Sequence, residues 1–170
     1  MPRRYAPLVL ALFAIALFVV ACGDSGEGGK VTVTLKDGSI TLDPASLPKG
    51  PVEFTIKNDG QKQHSLLIIK TSIPPAEIPK KNDGSADTGA ADVDVQHEVD
   101  EIDDGDDTSR TYEMDPGTYV LISNKVQEEN NVKTADYSQG MYTSFTVTEG
   151  SGSPSPSVTA KSSSTPTKTP

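Results

Sequence analysis

Few side chains in this 170-residue sequence can do chemistry: one cysteine, Cys22, two histidines, His64 and His97, and a dense set of carboxylates between residues 83 and 107. A lone cysteine close to the start builds no intrachain disulfide and no Cys-based zinc or iron-sulfur site. The acidic stretch runs through Asp83, Asp87, Asp92, Asp94, Glu98, Asp100, Glu101, Asp103, Asp104, Asp106 and Asp107. As a calcium loop with Gly105 at the sixth position, it would put Ile102 at the third position and Thr111 at the twelfth, where oxygen ligands and a bidentate Glu are needed. A solvated, self-repelling stretch is the expectation instead. His97 lies inside that stretch and His64 opens an apolar run, so the sequence indicates no Ser-His-Asp constellation, and the protein is not expected to be an enzyme. With 24 acidic against 15 basic residues, the phosphate-neutralising surface of a nucleic-acid binder is missing.

Cys22 has a different context. Arg3 and Arg4 precede an uncharged apolar run over residues 6–21, the pattern of an export signal. The run ends in Val19-Val20-Ala21-Cys22-Gly23, which resembles the bacterial lipobox. The resemblance implies removal of residues 1–21 and acylation of Cys22 on its thiol and new amino group. Membrane lipid through Cys22 is then an expected partner, beside an unknown protein, and the location is the extracytoplasmic face of the cell membrane. Loss of Arg3 and Arg4 leaves 13 basic against 24 acidic side chains, about −11. Residues 22–29 form a Gly-rich tether that reaches at most ~25 Å. At the other end, residues 150–170 are almost wholly Ser, Thr, Pro and Gly, the composition of a disordered tail.

The elements between these ends read as strands. Val31, Val33 and Leu35 alternate with Thr32 and Thr34, and Val52, Phe54 and Ile56 alternate with Glu53, Thr55 and Lys57. A short strand fits residues 39–42. Residues 64–71 hold Leu66, Leu67, Ile68 and Ile69 in succession, which suits a strand buried on both faces. Residues 111–114 and 118–123 flank the turn Pro116-Gly117, and residues 141–148 close the set. Six or seven short strands without an amphipathic helix predict an all-β, antiparallel Greek-key β-sandwich over residues 30–149, with an acidic insertion at about 79–110 outside its core. Without Trp, the core rests on Val, Ile and Leu with Phe54, Phe145 and a few tyrosines.

Three segments carry a further resemblance: Pro51-Val52-Glu53-Phe54-Thr55-Ile56-Lys57-Asn58 followed by His64; the run from Pro116 through Tyr119 to Ser123-Asn124; and Tyr137-Ser138-Gln139-Gly140-Met141. They resemble the cupredoxins, the blue-copper sandwich proteins, of the plastocyanin and sulfocyanin type. The resemblance implies that His64 stands at the first histidine ligand and Met141 at the axial methionine, whereas Ser123 stands where the family has its cysteine and Asp136 where it has its second histidine. The stretch from Ser123 to Asp136 is also longer than the family pattern. A blue-copper centre needs a thiolate and two imidazoles. No cofactor is therefore expected, and copper on His64, Met141 and Asp136 is the residual alternative. On their own residues, His64 reads as a polar group hydrogen-bonded at the start of a strand, and Met141 as packing.

A rival sandwich is also written in the chain. Asp115-Pro116-Gly117-Thr118-Tyr119 resembles the tyrosine corner of immunoglobulin-like adhesion domains, although the second cysteine of that pattern is Leu121 here. The function expected is a membrane-anchored extracytoplasmic lipoprotein with a binding or structural module for a protein partner. The alternatives are a copper carrier or redox accessory, and an adhesion module.

Overall fold

The computed structural model describes residues 26–150. Cys22, the export signal, most of the tether and the tail beyond Gly150 lie outside them.

The strands are β1 (Gly29–Lys36), β2 (Ser39–Asp43), β3 (Ser46–Pro48), β4 (Gly50–Asn58), β5 (His64–Lys70), β6 (Asp94–Ile102), β7 (Asp107–Met114), β8 (Gly117–Ile122), β9 (Val126–Glu129), β10 (Val132–Ala135) and β11 (Tyr142–Thr148). One sheet has the order β2-β1-β4-β7 and the other β3-β11-β8-β5-β6, while β9 and β10 form a separate hairpin. The expected β-sandwich is present. Its sheets are mixed rather than purely antiparallel, because β1 pairs with β4, and β3 with β11, in parallel. The β1–β4 register sets Val31 beside Phe54 and Val33 beside Ile56, so two alternating runs present one continuous apolar face.

That face packs on the inner face of the second sheet. Val31, Val33, Leu35, Val52, Phe54 and Ile56 meet Leu66, Ile68, Leu121 and Phe145 in the main core. Phe54 and Phe145 meet edge-on with centroids 5.7 Å apart. Each such ring contributes about 1.5–3 kcal/mol by burial. The outer face of the second sheet is buried too: Leu67, Ile69, Val120 and Ile122 pack with Ile78, Ala86 and Tyr137. Burial on both faces accounts for the four successive apolar residues of β5. The cover is the connection after β5, pinned by the Tyr137 hydroxyl donating to the carbonyls of Pro75 (2.8 Å) and Ile78 (3.1 Å), and by the Asn124 amide, which pairs with both backbone groups of Ala86.

Residues 79–110 are therefore not a solvated insertion. They hold part of this cover, all of β6 and the start of β7, and they bury Ala86, Val99 and Ile102. Within β6 the half-buried Val95 and His97 and the buried Val99 alternate with exposed Gln96, Glu98 and Asp100. The period-two pattern persists beneath the charge, but a register shift opposite Ile68 and Ile69 splits it between two faces: Val99, beside Leu66, enters the main core, and Val95, beside Ile69, packs on the outer cluster. β6 and β7 are edge strands of the two sheets, and a row of carboxylates is a common guard of an exposed edge. His97 stacks on Tyr112 at 3.7 Å and 10°, joining the two edges, and burial pulls its pKa down. The bond of the tyrosine corner forms, with Tyr119 donating to the carbonyl of Asp115 at 2.7 Å; it closes the β7–β8 turn and suits either sandwich family.

Candidate functional site

One end of the sandwich collects polar side chains from separate elements. His64 is the first residue of β5, Ser123 follows β8, Asp136 follows β10, and Asp37 lies in the turn between β1 and β2. Asn58, at the end of β4, sets the approach to His64: its amide nitrogen lies 2.8–3.0 Å from the carbonyls of Lys62, Ile102 and Asp103, and its oxygen accepts from the Gly60 amide. Gly60 must be small. A Cβ there would come within 2.6 Å of Asp37 Oδ1 and 3.0 Å of His64 Nε2. On the far side, a single 3-10 turn (Tyr137–Gln139) ends at Gly140, whose φ of 97° returns the chain to Met141.

Asp136 is the hub. Its Oδ2 lies 2.7 Å from His64 Nδ1 and accepts the Ser123 hydroxyl at 2.6 Å, while Oδ1 takes a longer bond, 3.3 Å, from Gln127 of β9. Ser123 Oγ in turn accepts the Ser65 amide at 3.1 Å. The other ring nitrogen, His64 Nε2, lies 3.1 Å from Asp37 Oδ1, which also accepts the Gln61 amide at 3.1 Å. The His64 side chain is 1 % exposed and that of Asp136 5 %, whereas Asp37 is 40 % exposed at the rim of a cleft of about 270 Å³. Among the described residues, no buried side-chain nitrogen or oxygen lacks a partner.

The sequence-derived positions thus converge, with one distinction. His64, Ser123 and Asp136 touch through their side chains. Met141 is joined to the group through its backbone, its carbonyl accepting from the Ser123 amide at 3.0 Å and its amide donating to the Asp136 carbonyl at 3.2 Å. The Met141 side chain is fully buried in the main core. Two further participants, Asp37 and Gln127, carried no sequence signal beyond an Asp-Gly turn and a polar residue in a short strand. The unexpected length between Ser123 and Asp136 is taken up by the β9–β10 hairpin, which sends Gln127 to Asp136 and Glu129 to Lys62.

These donors do not fit a blue-copper ion. The thiolate position holds a hydroxyl that donates to Asp136, and both nitrogens of the one imidazole are committed to carboxylates. Among the described residues, no group of three or more His, Cys, Asp or Glu side chains is arranged to hold a metal. Nor does the Ser-His-Asp contact make a nucleophile. Serine and histidine bond to the same carboxylate oxygen and not to each other, so the imidazole is not set to take the serine proton as a triad requires.

Burial works against charge on His64, but the hydrogen bonds and negative charges of Asp136 and then Asp37 outweigh it and raise its pKa. For Asp37, slight burial is outweighed by the Gln61 amide and by His64, and its pKa falls. A raised histidine contributes stability that is fully present below its unfolded value of about 6.5 and is lost as pH rises through the folded value. The depressed Asp37 contributes above its unfolded value and loses this as pH falls. His97, lowered by burial, likewise favours the fold above about 6.5 and weakens it in mild acid. The urea midpoint should therefore decline above neutral pH. Asp37→Asn should flatten that alkaline decline, and a midpoint that keeps rising to about pH 9 would contradict the assignment.

No family model and no curated protein matches the chain. Among solved structures, it is similar to reduced auracyanin from the photosynthetic bacterium Roseiflexus castenholzii, with 20% identity over 72% of this chain and 98% of that one, TM-score 0.48. It is also similar to rusticyanin from Thiobacillus ferrooxidans, with 18% identity over 69% and 75%, TM-score 0.43. A third is auracyanin A, described as a blue copper protein, from Chloroflexus aurantiacus, with 18% identity over 70% and 99%, TM-score 0.41. All three are cupredoxins, the family that the segments around His64, Ser123 and Met141 resemble, and at these identities the chemistry of the site is read from this chain's own residues.

Proposed function

We propose that this protein is a lipid-anchored extracytoplasmic module whose cupredoxin-like sandwich does not transfer electrons through copper and instead presents a binding or structural surface to a protein partner near the membrane. The observation that carries the reading is the hydrogen-bonded network at the ligand end. Ser123 and Asp136, standing where a thiolate and an imidazole would be needed, are bonded to each other and to His64. Removing the hydroxyl or the carboxylate from that network would leave buried groups unpaired, so the substitutions are built into the packing. A copper carrier would need His64 to surrender one of its two carboxylate bonds before its ring could bind a metal. The anchor is supported by the lipobox-like ending at Cys22 and by a tether too short to carry the domain far from the bilayer.

One preparation tests both halves. Expressed from the full chain in a bacterial host, the protein is expected in the membrane fraction, and Cys22→Ala should release it. Titrated with Cu(II), the released protein should stay free of an intense visible band, and any heat of binding should be indifferent to His64→Ala. An intense band, or His64-dependent heat, would overturn the metal-free reading.

A further inference from the structure

The geometry at His64 constrains the proton count of its ring. Nδ1 faces Asp136 Oδ2 at 2.7 Å and Nε2 faces Asp37 Oδ1 at 3.1 Å. An ionised carboxylate only accepts hydrogen bonds, and a neutral imidazole has one N–H and one bare lone pair. A neutral ring would therefore satisfy one arm and set a lone pair against the other oxygen. The two oxygens that face the ring also accept other donors, as ionised carboxylates do: Asp136 Oδ2 the Ser123 hydroxyl and Asp37 Oδ1 the Gln61 amide.

We propose that His64 is held as an imidazolium in the folded protein, and that it is the charged cross-link of this end of the sandwich, tying the β1–β2 turn to the segment after β10 in the structural place of a metal ion. The inference rests on the metal-free reading above only in that the ring is not given to copper.

The charges around the ring support it. From the β1–β2 turn comes Asp37 and from the segment after β10 comes Asp136. The β4–β5 loop brings Lys62 to the same cleft, 3.4 Å from Glu129 of β9. The remaining residues that line the cleft are uncharged: Gly38, Gln127, Thr134, and Gln139 of the 3-10 turn. One imidazolium between two carboxylates leaves the site nearer neutrality than a neutral ring would, and the attraction of the two carboxylates offsets the cost of burying the charge. The arms are unequal. The Asp136 arm is short, buried and supported by Ser123 and Gln127, whereas the Asp37 arm is longer and reaches solvent at the cleft, so the outer proton, on Nε2, is the one given up first.

The test is nitrogen NMR of the imidazole rings in the protein expressed from the full chain. At about pH 7, both ring nitrogens of His64 should be protonated, while His97, which burial disfavours as a cation, should be neutral. Asp37→Asn should shift the His64 titration to lower pH, and Gly60→Ala, whose added methyl would occupy the space of the Asp37–His64 bond, should do the same without removing a charge. A His64 ring with a single N–H at neutral pH would overturn the proposal. So would a titration that neither variant moves. A neutral His64 in a colourless protein would sink the cross-link alone; a coloured copper adduct of the wild-type chain would sink the metal-free reading.

Discussion

Asp136→Ala should destabilise the fold by about 3–5 kcal/mol, the loss typical when one partner of a buried ion pair is removed. The reason lies in what the methyl leaves behind. Asp136 takes hydrogen bonds from His64, Ser123 and Gln127 at once, and His64 and Ser123 are both buried. Without the carboxylate, the His64 ring keeps only its exposed arm to Asp37, and the Ser123 hydroxyl has no acceptor. Ser123→Ala should cost less, about 1–3 kcal/mol, because it removes one neutral donor and strands the Ser65 amide but leaves the charged pair intact. Urea unfolding of both variants beside the wild type checks the order. A loss under about 1 kcal/mol for Asp136→Ala, the scale of an exposed pair, would mean that the hub carries no structural weight.

The double change Ser123→Cys with Asp136→His should turn a colourless protein into one that takes up Cu(II) with an intense visible band. The frame for this already exists. Oγ of Ser123 and Nδ1 of His64 both point at Asp136 Oδ2, at 2.6 and 2.7 Å, so a thiolate at 123 and an imidazole at 136 would share one centre with the first histidine. Those are the thiolate and two imidazoles of a blue-copper set. Asp37 would keep a role, accepting from Nε2–H while Nδ1 faced the metal, as outer-shell acceptors commonly orient a ligating histidine. Neither single variant supplies the full set, so both should lack the band. A double variant that folds, by its circular dichroism, and stays colourless would show that positions 123 and 136 are out of ligand register.

The strands of the core were legible because alternation leaves a local record. Val31, Val33 and Leu35, or Val52, Phe54 and Ile56, can be placed on one face from spacing alone, and the apolar run of β5 required cover on both sides. β6 also alternates, with Val95, His97 and Val99 between polar residues, yet the charge density of residues 83–107 outweighed these positions, and the register shift beside β5 sends Val95 and Val99 to different clusters. What the one-dimensional reading lacked was the neighbour. β6 is stable because β5 lies beside it and Tyr112 stacks on His97, and both are contributed from elsewhere in the chain. The mixed direction of the sheets was hidden for a similar reason, since alternation fixes a strand's faces and not the direction of its partner.

At the site, residue types alone argued against a blue-copper centre: the strands between residues 29 and 148 contain no cysteine to supply a thiolate. Types also placed His64, Ser123, Asp136 and Met141 in one frame by their resemblance to a known family. The tertiary structure decided what fills that frame. Asp37 reaches His64 across 27 residues and Asp136 across 72, and only the closing of two sheets brings both carboxylates to opposite sides of one ring. A hydrogen bond is a matter of tenths of an ångström and of direction, and a linear sequence records neither.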